Sequence, residues 1–217
     1  MSAADIPSSF ISSIAEIYNL MPDSILFGSI ILYFLTQNVS FGVFAIFIIE
    51  VIVSHRGISW FFSQSNGSVS GSHNEVKCRA GFKTVQINAG RMFMHDPYPS
   101  YSIFSLTAIA TYIGMSVSEF SDILQKMGDQ WVLHSQLSKY FIVFVVFAFV
   151  ITRYVTSCDN NIHEIIIAGI LAVITGVIFF YINKKLFGPE SINFLGLPTL
   201  EIIEGSPIYL CGNNQKK

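Results

Sequence analysis

Apolar residues in this chain gather into long uncharged runs, and the lengths of those runs set the architecture. A helix crossing roughly 30 Å of hydrocarbon needs about 18 to 20 mainly apolar residues. Ile165 to Ile182 is such a run, bounded by His163 and Glu164 before it and by Lys184 and Lys185 after it. Tyr140 to Val155 is another, apolar from Phe141 to Ile151 and reaching Thr152 and Arg153 only at its end. The short loop Thr156 to Ile162 makes these two an antiparallel hairpin. Ser102 to Val117 carries no charge and places Ser102, Ser105, Ala108, Thr111 and Gly114 three apart, a small-residue stripe that permits close helix approach. Asp23 after Pro22 marks a helix start, and the run Ser24 to Thr36 ends at a turn over Gln37 and Asn38. Phe41 to Val53 follows at once. Extending the first run back to Leu20 and the second through Trp60 to Phe62 gives spanning lengths. The expected fold is therefore all-α, a polytopic membrane helix bundle of about five transmembrane helices.

Two further segments read as amphipathic interfacial helices. Ile6, Phe10, Ile14 and Ile17 recur at helical spacing opposite Ser8, Ser9, Ser12 and Ser13. Val117, Phe120, Leu124, Met127 and Trp131 form a second stripe. Packing against the bundle explains either as well as the bilayer surface does. Residues 1–186 form the bundle, with 54–100 as an extramembrane loop whose tip, Gln64 to His73, is rich in Ser and Gly. Residues 187–217, with Pro189, Pro198 and Pro207, are expected to dock as an extended tail. Five spans put loop 54–100 and the loop after Arg153 on one side of the membrane. Lys and Arg then divide equally between the two sides, so the positive-inside rule is silent on orientation. The first thirty residues hold Asp5, Glu16 and Asp23 and no Lys or Arg, so no basic leader precedes the first span, which must itself direct insertion.

Composition narrows the function classes. The 217 residues are 52% hydrophobic and 12% charged, against about 25% charged in an ordinary soluble domain, and the mean hydropathy is +0.55. That excludes disorder, nucleic-acid binding through basic charge and a simple soluble enzyme. The net charge of −2 names no charged partner. Cys78, Cys158 and Cys211 fit neither a disulfide framework nor C-x-x-C metal spacing. The histidines His55, His73, His95, His134 and His163 make no i, i+4 pair and no H-x-x-E-H, so neither a metal site nor a cofactor is expected.

Charges inside or at the edge of membrane spans are costly and point to function by default. Glu50, within FIIEVIV, reads either as part of a proton or ion path or as a structural carboxylate paired to Arg or Ser, and the second reading is favoured. Arg91, Arg153 and Glu164 are the others.

Arg153 stands in the string TRYVTSCDNNIHEIIIAG, and from Lys83 to Gly176 the order of motifs and spans resembles the type 2 phosphatidic acid phosphatase superfamily, an all-helical membrane family that includes lipid phosphate and dolichyl diphosphate phosphatases. That family carries K-x6-R-P, then P-S-G-H at a helix start, then S-R-x5-H-x3-D between two spans, followed by a small A-G pair. Thr152-Arg153 resembles S-R and Ala168-Gly169 the A-G pair. Pro99-Ser100-Tyr101-Ser102 stands where P-S-G-H would. Lys83 and Arg91 resemble the first motif with one residue too many between them and no proline after the arginine. The resemblance implies Lys83, Arg91 and Arg153 as phosphate-binding cations, with Ser100, Ser102, Asp159 and Asn161 as polar neighbours.

Both catalytic imidazoles of the family motif are replaced. Ser102 stands for the general-acid histidine, and the nucleophile position is Asp159, or Asn161 when counted back from Ala168-Gly169. None of these side chains does the work of imidazole near neutral pH. His163, ten residues after Arg153, is the one candidate nucleophile, and it would require the loop to bend differently. His95-Asp96 beside Pro97 reads as loop structure. The expected function is a non-catalytic multi-pass membrane protein, a scaffold or subunit of a larger membrane assembly, cellular or viral, in contact with lipids and other assembly proteins. The alternatives are an active lipid-phosphate or isoprenyl-diphosphate phosphatase with rearranged motifs, and a transporter using Glu50 and Glu164.

Overall fold

A computed structural model describes residues 24–66, 98–155 and 161–194. These fold entirely as helices and short connections, with no strand among the described residues. In chain order the helices are α1 (Ser24–Thr36), α2 (Val39–Asn66), α3 (Tyr101–Glu119), α4 (Ser121–Met127), α5 (Asp129–Val155) and α6 (Ile162–Phe187), followed by a 3-10 turn over Pro189–Ile192. Four of them, α2, α3, α5 and α6, are long and apolar enough to cross a membrane. The expected first span is shorter in the described residues: α1 has only the thirteen residues from Ser24 to Thr36, and the extension toward Leu20 lies outside them.

The predicted turn between α1 and α2 is present. Gln37 takes a left-handed φ of 55° and its N–H donates to Tyr33 O at 2.8 Å, which closes the last turn of α1. Asn38 then caps α2, its Oδ1 accepting from Ser40 N at 2.9 Å, two positions into the helix. The chain stays helical from there to Asn66, so the segment between the second and third spans begins as a continuation of α2 rather than as loop.

The centre of the bundle is α3, which packs on α2, α4, α5 and α6. Its contact with α6 is the most extensive, and the small-residue stripe makes it possible. Ala108 is fully buried, and a Cβ added at Gly176 of α6 would sit 2.9 Å from Ala108 O and 3.0 Å from Thr111 Cβ. Only a residue without a side chain fits where the two backbones come that close. The two helices run parallel, since Ile103 packs with Ala168 near their starts and Glu119 meets Lys184 near their ends. An aromatic group fills the space between α2, α3, α6 and the segment after them. The rings of Phe47 and Tyr112 stack at 4.0 Å, Phe180 meets Tyr112 edge-on at 5.6 Å, and Phe194 meets Phe44 edge-on at 5.0 Å.

Helix α5 differs from its expected role as one arm of a hairpin on α6. It lies chiefly on α3 and α4, and it shares with α6 the cluster of Ile103, Leu106, Phe149 and Ala168. Of its 27 residues only Phe149 and Arg153 are buried. Leu133, Tyr140, Phe141, Phe144 and Phe147 face outward, as do Ile166, Ile170, Ile174 and Ile178 of α6. An apolar surface this continuous is unfavourable in water and natural against acyl chains, where no cost attaches to apolar exposure.

Two expectations at the polar ends change. The stripe from Val117 to Trp131 is not one helix: the chain bends at Phe120 and turns at Gly128, so Phe120 and Leu124 are buried while Trp131 is half-exposed on α5. The tail does not begin as extended chain at 187. Gly188, at φ 83°, ends α6 and the chain turns into the 3-10 segment, which docks on α2 and α6 and buries Ile192 completely. Ser40 Oγ donates to Glu190 O at 2.8 Å, and Ser116 Oγ donates to Ile192 O. The amphipathic segment from Ile6 to Ile17 and the chain after Phe194 lie outside the described residues.

Candidate functional site

The connectivity gathers four helix termini at one end of the bundle: the later turns of α2, the start of α3, the end of α5 and the start of α6. The cluster of Ile103, Phe149 and Ala168 seals this end from within. One turn further out, Phe149 is followed by Arg153 on α5 and Ala168 is preceded by Glu164 on α6. Both are buried, at 3% and 5% exposure. A cation in the last turn of α5 and an acid in the first turn of α6 each oppose the helix-end charge they stand on.

Arg153 Nη1 donates to Ser102 Oγ at 3.0 Å, and the guanidinium carbon stands 6.0 Å from the centre of the Phe149 ring. Ser102 is 1% exposed and Ser100 is fully buried. Ser102 and Arg153 are thus direct partners, brought together by the packing of α3 against α5. Ser105 Oγ donates to Ser102 O at 3.2 Å, a bond within α3.

Residues that would supply chemistry are elsewhere. His163 and Asn161 are exposed at the start of α6, and Asn161 makes no side-chain capping bond there. Lys83, Arg91 and Asp159 lie outside the described residues. A serine hydroxyl needs an adjacent base to become a nucleophile. Among the described residues, the two imidazoles closest to this end are the exposed His163 and a committed His55.

His55 is the residue sequence reasoning passed over. It is 3% exposed, its Nε2–H donates to Pro99 O at 2.6 Å, and its ring lies 5.1 Å from those of Tyr101 and Phe104. It fixes the start of α3 to α2 and so helps to set the position of Ser102. A signal was present: Phe44, Ile48, Val51 and His55 recur at helical spacing, which puts the imidazole on the buried stripe. Among the described residues Glu50 takes neither of its expected partners, Arg or Ser. Its Oε2 accepts from Asn183 Nδ2 at 3.0 Å, away from the Arg153 end. Among the described residues no group of three or more His, Cys, Asp or Glu could hold a metal ion.

Comparison with known proteins finds no counterpart: no family model, no curated protein and no solved structure matches this chain.

Proposed function

We propose that the chain is a non-catalytic multi-pass membrane protein that serves as a scaffold or subunit of a larger membrane assembly, with its Ser102–Arg153 end acting as an internal lock between helices. The observation that supports this reading is the disposition of that end. The arginine that would hold a phosphate is buried and spends a donor on Ser102, while His163 and Asn161 point outward. A guanidinium held in this way fastens α5 to α3. The lipid-phosphatase resemblance then describes ancestry of the bundle rather than its present activity, and lipids and neighbouring membrane proteins are its partners through the apolar outer faces of α5 and α6.

Phosphate release from phosphatidate, lysophosphatidate and isoprenyl diphosphates by the purified protein tests this directly. The expected result is release at background, with the native protein migrating inside a complex larger than one chain. Turnover abolished by His163→Ala would place the second reading, an active phosphatase with a displaced nucleophile, ahead of the first.

A further inference from the structure

Glu50, Tyr112 and Asn183 come from α2, α3 and α6 and meet inside the bundle, apart from the Ser102–Arg153 end. Glu50 stands eleven residues from the start and twelve from the end of the apolar stretch Val39–Phe62, and its partner Asn183 closes the apolar run of α6 beside Lys184, so the group sits within the bundle toward the α6 end. Asn183 Nδ2 donates to Glu50 Oε2 at 3.0 Å. The Tyr112 hydroxyl lies beside Asn183 and within electrostatic reach of Glu50. Tyr112 and Asn183 are both fully buried, and among the described residues Tyr112 Oη and Asn183 Oδ1 each lack a hydrogen-bond partner. Two enclosed polar atoms in this condition beside a carboxyl group are costly unless they find partners.

Among the described residues no cation pairs with the carboxyl group. Its partner is a neutral amide, and no ion pair involves Glu50 among the described residues. Tyr112 faces it from α3 and Asn183 from α6. Lys184, next to Asn183, is turned to Glu119 at 2.5 Å. Glu190 of the 3-10 segment is exposed, and α1 carries no charged residue, its Tyr33 ring lying on Gly42.

We propose that Glu50, Asn183 and Tyr112 form a proton-binding site within the membrane bundle, in which the Asn183 amide adopts one orientation for the carboxylate and the opposite one for the acid. With Glu50 ionised, Nδ2–H donates to the carboxylate and Oδ1 is left to accept from the Tyr112 O–H. When Glu50 takes up a proton, its new O–H donates to Oδ1 of the inverted amide, whose Nδ2–H then donates to the Tyr112 oxygen. Each arrangement employs both atoms that now lack a partner. The two differ by a half-turn of a group whose ends are nearly equal in size. Glu50 is only partly enclosed by the bundle. The site goes beyond the scaffold reading and rests only on α2, α3 and α6 crossing the membrane.

Dicyclohexylcarbodiimide, an apolar reagent that adds to protonated carboxyl groups, provides the test on the full chain in detergent micelles. Mass spectrometry should find the adduct on Glu50 at mildly acid pH, with the yield falling as pH rises and excess sodium leaving it unchanged. Thermal unfolding supplies a second readout through Glu50→Gln, a neutral near-isostere of the acid. The two proteins should differ least at acid pH, and wild type should lose ground to the variant as pH rises, because the folded state binds a proton that the unfolded state has released. An unmodified Glu50, a yield independent of pH, or a stability gap constant with pH would overturn the proposal. Protection by sodium would also overturn it, assigning the site to a metal cation instead. Neither readout depends on the phosphatase assay or on the size of the native complex.

Discussion

Arg153 and Ser102, 51 residues apart in sequence, meet across 3.0 Å in the interior of the bundle. Their bond joins the last turn of α5 to the first turn of α3 where both side chains are nearly closed off from solvent. In such surroundings a guanidinium is costly without partners, and Ser102 Oγ and the Phe149 ring are two that it has.

Loss of that guanidinium is therefore expected to weaken the fold. Arg153→Ala should lower stability in detergent by about 3 kcal/mol, the scale for removing one member of a buried polar pair. Arg153→Lys keeps the charge and loses the planar fork, and should fall between the alanine variant and wild type. Thermal unfolding of the three proteins is the measurement. Equal stability would mean that the arginine is merely solvated, and the lock would be discarded.

Two glycines of α6 should respond in opposite senses to the same substitution. Gly176→Ala drives a methyl group into Ala108 O and Thr111, both of which belong to a packed helix, and should cost about 1 to 3 kcal/mol. Gly169→Ala meets nothing within 4 Å and should be neutral or gain up to about 1 kcal/mol from helix propensity. Comparing their unfolding temperatures separates close helix approach from any general intolerance of α6.

Topology gives a third expectation. The end of α2, the start of α3, the end of α5 and the start of α6 share one end of the bundle. Tags inserted at Ser68 and Asp159 should thus report the same side of the membrane, and a tag at Gly128 the other. Accessibility to an impermeant reagent checks it, and opposite reports from Ser68 and Asp159 would dismantle the common end.

Much of this architecture could be read along the chain because its signals are local. The run behind α6 has charges at both edges, the Gln37–Asn38 turn shows in its residue types, and the stripe from Ser102 to Thr111 announces a helix that others approach closely. The extent of α2 past Val53 was less legible, because the polar residues there read equally well as loop. Long-range partners were not legible at all. Ser102 could be placed at a helix start, but its bond to Arg153 depends on how α3 and α5 pack. Asn183 closes an otherwise apolar run, and only the fold puts it opposite Glu50. His55 and Asn183 do fall on the buried stripes of their helices, so their enclosure could be inferred even though their partners could not.

The hydroxyls of Ser40 and Ser116 reach backbone carbonyls near Ile192, and Ser40 also donates to Asn193 O at 3.1 Å, 153 residues along the chain. Ser40 leaves the ribosome early, and its acceptors are synthesised only after α6. During biogenesis α2 and α3 are therefore made before the acceptors these hydroxyls hold in the folded chain, and before Ile192 can pack among them. The turn after α6 can thus close on α2 and α3 only once α6 itself has been made.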